Sequence, residues 1–383
     1  MPLESKVMAT TVRSYSKINL GLAIGPVRAD GFHGLATLYQ TLALHDLVTV
    51  EAHRLAAGES RISLTTNHAQ VPTDERNTAW KIVERALARM NVTAEVAIHI
   101  EKRLPVQGGM GAGSANAAAA LIGLERELEM ALPEALRLEI AAEVGSDVPL
   151  FLIGGAVQGT ERGEVVCAMK DFPATACVIA VPEVGVSTPR AFRDWDERRV
   201  QAEGQLTSAP RTDKLDKLSH VYASVLGADL EKYEVKPQTE KTPDTSGIVR
   251  GRSPETKQGG LEGGTSRHGS TWNGLAENTL LALVRTGIEN DFEEVVFPQY
   301  PLLREIKHEL MGIPAGSCEL QDQPASSNAI YAALSGSGSA LFGLYRSEAD
   351  ASAAQRRVQT TGCKAILTRT LPRQEYWRKM FAE

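Results

Sequence analysis

The stretch PVQGGMGAGSANAAAAL, residues 105–121, joins a glycine-rich segment to a run built mostly from alanine. Glycine is costly in regular structure, so four glycines within residues 108–113 need a physical reason. A glycine turn that opens a helix gathers free N–H donors at the positive end of the helix dipole, where phosphate binds well. The alternative is a tight strand-to-helix turn without a ligand. The rest of the chain must decide between the two.

The loop differs from the two most familiar phosphate-binding motifs. No Gly-Lys-Ser/Thr follows the glycines, as a Walker A motif requires, and position 114 is Ser where a dinucleotide fingerprint has its last Gly. The alternating stretch 92–105 predicts a strand before the loop, and a helix is predicted to begin near Ala115. Such a layout can wrap a triphosphate with backbone amides, while Ser114 offers a hydroxyl to phosphate or Mg²⁺. The predicted ATP-binding loop is Pro105, Val106, Gln107, Gly108, Gly109, Met110, Gly111, Ala112, Gly113, Ser114 and Ala115.

Composition narrows the class of protein. The chain has 383 residues, 43% of them hydrophobic, which predicts two domains or two lobes that share a cleft. A formal net charge of −6 argues against a nucleic-acid or membrane-surface partner held by bulk charge. The N-terminus lacks the pattern of a signal peptide, and the four cysteines show no zinc spacing. These features predict a cytoplasmic protein without a structural metal.

The hydrophobic periodicity predicts an α+β fold, because strands and helices interleave without regular βα alternation. Strands are predicted at 11–24, 92–105, 175–182 and 363–369, and helices at 74–90, 114–130, 133–144, 274–290, 299–311 and 347–359. Residues 234–270 are rich in Pro, Gly, Ser, Thr and charge, so they are predicted to be mobile and dispensable for chemistry.

Three further stretches favour the phosphate-binding interpretation. SYSKINLGL places Lys17 and Asn19 on one face of a strand, and GSDVPLFL places Asp147 between a helix and an apolar strand. LSGSGSALFG supplies a second small-residue loop, Gly336, Ser337 and Gly338, that lets a ligand approach the backbone. Each has a plain alternative: a solvated charge for Lys17, a turn residue for Asp147, and an ordinary turn for the serine-glycine loop. Their joint occurrence in this order is harder to explain by chance.

These motifs together resemble the GHMP small-molecule kinase superfamily. Its members have an N-terminal lysine strand, a Pro-x₃-Gly-rich phosphate loop and a C-terminal glycine-rich loop, in that order. The resemblance covers residues 11–196 and, more weakly, 274–370. It implies a two-lobed GHMP kinase fold, with a mixed β-sheet in an N-terminal ATP-binding domain (1–165) and an α/β C-terminal domain (166–383). The active site would lie in the cleft between them. Residues 200–271 would be an insertion without a counterpart, and 317–328 a second one.

Within the superfamily, one block points to a member of the non-mevalonate isoprenoid route whose alcohol substrate is linked to cytidine. SKINLGLAIGPVRADGFHGLATLYQ is similar to K-x-N-L-x-L, R-x-D-G-[YF]-H and T-L-x-Q. The resemblance implies that Phe32 and His33 receive the cytosine ring, and that Phe192 and Thr188 complete the site from VSTPRAF. Asn19 is assigned to the same substrate. Ala115 stands where the family has a second serine, and Gln107 replaces a usual glycine.

The resemblance also implies roles in phosphoryl transfer. ATP would lie on the 105–115 loop and contact Gly336, Ser337 and Gly338, and Mg²⁺ would bridge its phosphates, without a protein ligand that the sequence identifies. Asp147 would accept the proton of the substrate hydroxyl, and Lys17 would keep that carboxylate charged and stabilise the transferring group. Asn77 matches an Asn near the nucleotide, although its position also suits a helix N-cap.

Two other functions stay open at this point. One is a GHMP kinase for a sugar, a mevalonate-type acid or homoserine. The other is a catalytically silent relative that binds nucleotide and regulates a partner, although such a module has no need of both Lys17 and Asp147. The sequence does not determine the oligomeric state.

Overall fold

The computed structural model describes residues 9–106, 108–203, 288–313 and 329–382, together with Ser219 and Leu281. The strands are β1 (Thr10–Val27), β2 (His33–Arg54), β3 (Arg61–Thr66), β4 (Ala94–Glu101), β5 (Ala156–Thr160), β6 (Val165–Ala168), β7 (Ala176–Val181), β8 (Tyr331–Leu334), β9 (Leu341–Tyr345), β10 (Lys364–Arg369) and β11 (Phe381–Ala382). The helices are α1 (Thr78–Met90), α2 (Ala112–Glu127), α3 (Glu134–Val144), α4 (Thr188–Glu203), α5 (Glu293–Gln299), α6 (Pro301–Met311), α7 (Glu348–Thr360) and α8 (Arg373–Arg378).

The first lobe is a seven-stranded mixed sheet covered by α1, α2 and α3. Its path runs β11-β1-β2-β4-β3, and β5 pairs with β2 and with β6. The β3–β4 pair is parallel, whereas the β1–β2 pair is a long antiparallel hairpin. The alanine run of α2 is buried in this lobe's core, since small side chains let the helix pack closely on the sheet.

The second lobe is a four-stranded antiparallel sheet in the order β10-β7-β9-β8. Its helical core forms around Trp195 of α4, Leu303 and Ile306 of α6, and Val358 of α7. A further apolar cluster joins the two sheets: Ile18 and Leu20 of β1 lie in it together with Ile179 and Phe342 of the second lobe. The face of β1 that carries apolar residues is therefore covered by the other lobe, which fixes the cleft between them.

The structure confirms the predicted α+β class and two-lobed arrangement and changes some boundaries. Helix α2 begins at Ala112 rather than near Ala115, because Gly111 adopts a left-handed conformation (φ 68°) that ends the loop earlier. The apolar segment after Asp147 is not a strand: Pro149–Leu152 forms a short 3₁₀ helix with Pro at its start, where a missing N–H costs nothing. The helix predicted at 299–311 is α6 (Pro301–Met311), and a separate helix, α5 (Glu293–Gln299), ends just before it at Tyr300.

The end of the described chain returns to the first lobe. Strand β11 pairs with β1, where Val12 lies opposite Phe381, and Arg13 Nη1 donates to the carbonyls of Lys379 and Phe381. The domain division predicted near residue 165 stays a prediction, and the segment 371–382 belongs spatially with the N-terminal sheet. Most of the predicted insertion (200–271), including 234–270, the second insertion (317–328) and most of the helix predicted at 274–290 lie outside the described residues.

Candidate active site

The glycine-rich loop leads from β4 to α2, as its sequence predicts. Gly111 is the N-cap of α2, so the amides of the first helical turn point back toward the loop without intrahelical acceptors. The amide of Ala115 donates to the Gly111 carbonyl at 2.8 Å, and its side chain is buried in the core. Among the predicted loop residues, Ala115 therefore closes the first turn, whereas Gly113 and Ser114 stay accessible beside a cavity. Gln107 lies outside the described residues.

A cavity of about 470 Å³ lies over this loop, and it has the size that a nucleotide would require. Its walls come from the loop, the N-terminus of α1 and the segment that precedes α1. Asn77 lines the cavity, but its Oδ1 accepts from the Ala79 amide at 2.9 Å and its Nδ2 donates to the Pro72 carbonyl at 2.7 Å. Asn77 is thus a helix N-cap, the plainer of its two interpretations. Thr78 Oγ1 donates to the Gly113 carbonyl at 2.7 Å and ties α1 to the phosphate loop.

Sequence reasoning missed a buried carboxylate that supports the loop from below. Asp46, fully buried on β2, accepts from Lys102 Nζ at 2.6 Å and from the amides of Arg103 and Leu104 at 2.7 Å each. Its three donors fix the chain immediately before Pro105. The signal in the sequence was an aspartate within the mostly apolar stretch LALHDLVTV, residues 42–50, since a buried charge must be paired.

Lys17 and Asp147 form an ion pair beside the glycine-rich loop. Lys17 Nζ lies 3.3 Å from Asp147 Oδ2, with the lysine side chain 4% exposed and the aspartate 31% exposed. Asp147 lies in the turn after α3, and a Cβ built on Gly145 of the same turn would lie 4.0 Å from Ser114 Oγ. The two residues that the sequence paired across 130 positions are therefore in contact, and the aspartate alone is open to a substrate.

Lys17 is oriented by a chain of hydrogen bonds. Its Nζ donates to Asn19 Oδ1 at 2.6 Å, Asn19 Nδ2 donates to Thr37 Oγ1 at 2.8 Å, and that hydroxyl donates to the Gly21 carbonyl at 2.8 Å. Asn19 is buried and engaged at both ends of its amide. In this structure it contacts Lys17 rather than the base end of the cleft, and Thr37 is a supporting residue that the sequence did not identify.

The second glycine-rich loop, residues 335–339, packs directly on the first. Ser335 Oγ donates to the Gly109 carbonyl at 3.0 Å, and the amide of Ala340 donates to the Gly108 carbonyl at 3.3 Å. A second residue that the sequence missed holds this loop: Asn290 Nδ2 donates to the carbonyls of Leu334 and Gly336 at 2.8 and 2.7 Å.

The same loop also connects the phosphate end of the cleft to α4 and to Lys17. The hydroxyls of Thr188 and Ser337 lie 2.6 Å apart, so Thr188 contacts the loop directly. Gly336 approaches Lys17, since a Cβ built on it would lie 3.6 Å from Nζ, and Gly338 lies beside Leu334 in the same turn.

The residues expected to hold the base lie at the other end of the cleft, and the structure brings two of the three rings together. His33 and Phe192 stack with ring centroids 5.0 Å apart and an interplanar angle of 6°. Phe32 is 55% exposed and lies under the Arg162 guanidinium, 5.0 Å from its ring centroid. A base between two parallel rings needs roughly 7 Å between their centroids, so none fits between His33 and Phe192 as they stand.

His33 is held at both ring nitrogens. Nδ1 lies 3.0 Å from the Gly25 carbonyl, and Nε2 lies 3.3 Å from Asp196 Oδ2 on α4. The His33–Asp196 contact joins the β1–β2 hairpin to the second lobe and was not foreseen from the sequence.

Comparison with known proteins agrees with this architecture. Residues 77–155 match the GHMP kinases N terminal domain, and residues 275–363 match the GHMP kinases C terminal domain. A solved 4-(cytidine 5'-diphospho)-2C-methyl-D-erythritol kinase aligns over 94% of this chain and 98% of its own, with a TM-score of 0.59 and 22% identity. A homoserine kinase from Cytophaga hutchinsonii aligns over 97% of both chains, with a TM-score of 0.58 and 16% identity. The fold and the two domain matches define a small-molecule kinase of the GHMP class.

Sequence relatives narrow the class. A 4-diphosphocytidyl-2-C-methyl-D-erythritol kinase from Rhodococcus jostii is 38% identical over 231 residues, 57% of this chain and 71% of the relative. The kinase of that name from Solibacter usitatus is 30% identical over 388 residues, 98% of this chain and 95% of the relative. The chain belongs to the 4-diphosphocytidyl-2-C-methyl-D-erythritol kinase family.

Other classes of site find no support in the described residues. No described helix is both long and apolar enough to cross a membrane. In the same part of the chain, no group of three or more His, Cys, Asp or Glu side chains is arranged to hold a metal ion.

Proposed function

We propose that this chain transfers the γ-phosphate of ATP to the 2-hydroxyl of 4-diphosphocytidyl-2-C-methyl-D-erythritol, with Lys17 and Asp147 as catalytic residues. Family membership supports the reaction. The observation that carries the assignment of residues is the Lys17–Asp147 contact, 3.3 Å long, between the phosphate loop and the second glycine-rich loop. It supports the proposal because a cation and a solvent-accessible carboxylate lie together next to the loop that would hold the triphosphate.

Phosphoryl transfer asks the protein mainly for alignment and charge neutralisation. In the proposed arrangement, the phosphates lie against the backbone amides of residues 108–114, at the positive end of the α2 dipole. Asp147 accepts a hydrogen bond from the substrate hydroxyl and takes its proton during transfer. Lys17 contacts that carboxylate and stabilises negative charge on the transferring group, a role that no lysine of the loop itself can fill.

Mg²⁺ belongs to this proposal as the ion of the ATP complex. Among the described residues, the Ser114 hydroxyl beside the Asp147 turn fits such an ion, since Mg²⁺ usually keeps phosphate and water ligands and few from the protein. When bound, the ion would neutralise phosphate charge. Both Asp147 oxygens already face donors, Lys17 and Tyr39, so that carboxylate is better suited to the alcohol.

The base end of the cleft supports a flat, polar-edged ligand. Phe32 presents an exposed ring face, and His33 with Asp196 presents a polar edge close by. Cytosine offers a stacking face and an exocyclic amine that can donate to such acceptors. A cytoplasmic location and the absence of a nucleic-acid partner stay predictions from the sequence.

The proposal is tested by assaying ADP release and product mass with ATP against a panel of alcohols: the cytidyl substrate, homoserine, mevalonate and galactose. We expect turnover with the cytidyl substrate alone. It should fall by roughly 10²-fold or more in Asp147→Asn and be retained in Asp350→Asn, which changes a carboxylate on α7 that contacts Ser347 away from the cleft. We also expect CDP to raise the melting temperature beyond the effect of an ATP analogue. Turnover of another alcohol, or none with the cytidyl substrate, would contradict the assignment.

A further inference from the structure

Tyr39 makes a contact that the proposed mechanism does not yet use. Its hydroxyl donates to Asp147 Oδ1 at 3.0 Å, while Lys17 approaches the other carboxylate oxygen. Lys17 Nζ also lies 5.4 Å from the centroid of the Tyr39 ring. Tyr39 occupies the unspecified position of the T-L-x-Q motif, so the motif alone assigns it no role.

Two glycines around β5 form a slot for this side chain. A Cβ on Gly163, which has φ +103°, would lie 2.5 Å from the Tyr39 hydroxyl oxygen, and a Cβ on Gly159 would lie 2.6 Å from its Cε2. Real Cβ atoms do not approach so closely, so both positions must lack one. The QGTERGE segment, residues 158–164, is therefore shaped around the Tyr39 ring and holds its hydroxyl on Asp147.

The charge state of Tyr39 suits a permanent donor. Burial raises the pKa of its hydroxyl well above the usual value, and the adjacent Asp147 and the nearby Glu164 raise that pKa further. The hydroxyl therefore keeps its proton throughout the working pH range. The charged groups around the carboxylate are then Lys17 from β1 and, beyond the Tyr39 hydroxyl, Glu164 before β6.

We infer that Tyr39 is a positioning residue for the transfer step, which aligns the Asp147 carboxylate through a hydrogen bond to Oδ1. The inference rests on the proposed function for the identity of the step. Oδ1 accepts from Tyr39 and Oδ2 lies 3.3 Å from Lys17 Nζ, so rotation of the carboxylate would break at least one of the two contacts. The side chain is still 31% exposed, so a substrate hydroxyl can reach it.

The test compares Tyr39→Phe with the parent. The variant keeps the ring in its slot and loses the donor, so we expect kcat to fall about tenfold, while the KM for ATP stays within about twofold. Tyr345→Phe is the control: it removes another buried hydroxyl, bonded to the Leu310 carbonyl in the second lobe, and should leave both kcat and the KM for ATP unchanged.

A second readout needs no turnover. The carboxyl carbon signal of Asp147, assigned with Asp147→Asn, should move at neutral pH in Tyr39→Phe, because the carboxylate has lost a hydrogen bond. Gly163→Ala should move it the same way by displacing the hydroxyl, and should add nothing in the Tyr39→Phe background. An unchanged signal in Tyr39→Phe would overturn the inference. If the parent lacked kinase activity and the signal still moved, the proposed function would fail while the contact stood.

Discussion

The two ends of the cleft are organised differently. At the phosphate end, Lys17, Asn19 and Asp147 already hold one another at hydrogen-bonding distance, and both glycine-rich loops are tied together. At the base end, the rings of His33 and Phe192 stack directly on each other, and Phe32 is exposed to solvent. The groups proposed to react are thus set by the fold, whereas those proposed to recognise the substrate must rearrange. Substrate binding should therefore cost reorganisation at the base end and little at the phosphate end.

The largest effect should come from Asp147→Asn. The change keeps shape and hydrogen-bonding capacity but removes the charge, so the variant should fold, bind ATP and substrate within a few-fold, and lose roughly 10²-fold or more in kcat. Lys17→Met should act on the same step, and the double variant should lose much less than the product of the two single losses. Near-parental turnover by Asp147→Asn would mean that Asp147 is only a turn residue. The phosphate end would then hold no preorganised reactive pair, and the two ends of the cleft would not differ in this respect.

The next largest effect should come from Gly111→Val. Judged from the sequence, this change would weaken ATP binding with little loss of stability. The structure favours a different outcome, because a Cβ would lie 2.9 Å from Phe151 Cζ and 3.1 Å from Lys17 Cγ, at a residue with positive φ.

Strain and overpacking should together lower the free energy of unfolding by about 3 kcal/mol, as measured by urea denaturation. Gly58→Val isolates the strain, since Gly58 has φ +101° and open space around it. Equal losses at the two positions would show that the phosphate end is less tightly packed than the structure indicates.

At the base end, Phe32→Ala and His33→Ala should each raise the KM for the cytidyl substrate about tenfold, since stacking of one base contributes roughly 1–3 kcal/mol. The KM for ATP should be nearly unchanged, because both residues lie away from the phosphate loop. Phe381→Ala, which removes another partly exposed ring, serves as the control. Equal weakening toward both ligands would mean that these side chains are structural and that the two ends are not independent.

The smallest effect concerns the segment behind the phosphate end, where Glu375 bonds Arg369 and Lys379. The hydrogen bond from Arg369 lowers the pKa of Glu375 from 4.5 to about 2. Because this pKa is lower in the folded than in the unfolded chain, ionised Glu375 stabilises the folded state above pH 4.5. This stabilisation is lost as the pH falls from 4.5 toward 2. The melting temperature of Glu375→Gln should therefore lie below that of the parent at pH 7 and approach it near pH 2. If the difference in melting temperature between Glu375→Gln and the parent stayed constant from pH 7 to pH 2, Glu375 would stabilise the fold by packing rather than by its charge.

The residues that the sequence identified correctly as neighbours lie in short local patterns. Lys17 next to an apolar strand and Asp147 between Gly-Ser and Pro are recognisable without knowing which strands pair. Tyr39, Asp46 and Asn290 were missed because their roles depend on long-range register, and a strand pattern does not say which polar atom lies opposite. The stacking of His33 on Phe192 was likewise beyond the sequence, which identified both rings but not their separation. The dispensability of residues 234–270 stays a prediction.

The return of residues 371–382 to the first lobe has a consequence for how the chain is made. Tyr376 donates to the Phe151 carbonyl at 2.6 Å and Trp377 Nε1 to the Ile153 carbonyl at 2.9 Å, so both hold the 3₁₀ segment that follows Asp147. A ribosome delivers these two side chains more than 200 residues after the segment they secure. The nascent first lobe therefore contains Lys17 and Asp147 long before the C-terminal segment can bind to it. These two hydrogen bonds can form only after the C-terminal segment has been synthesised, so during translation the segment after Asp147 lacks them.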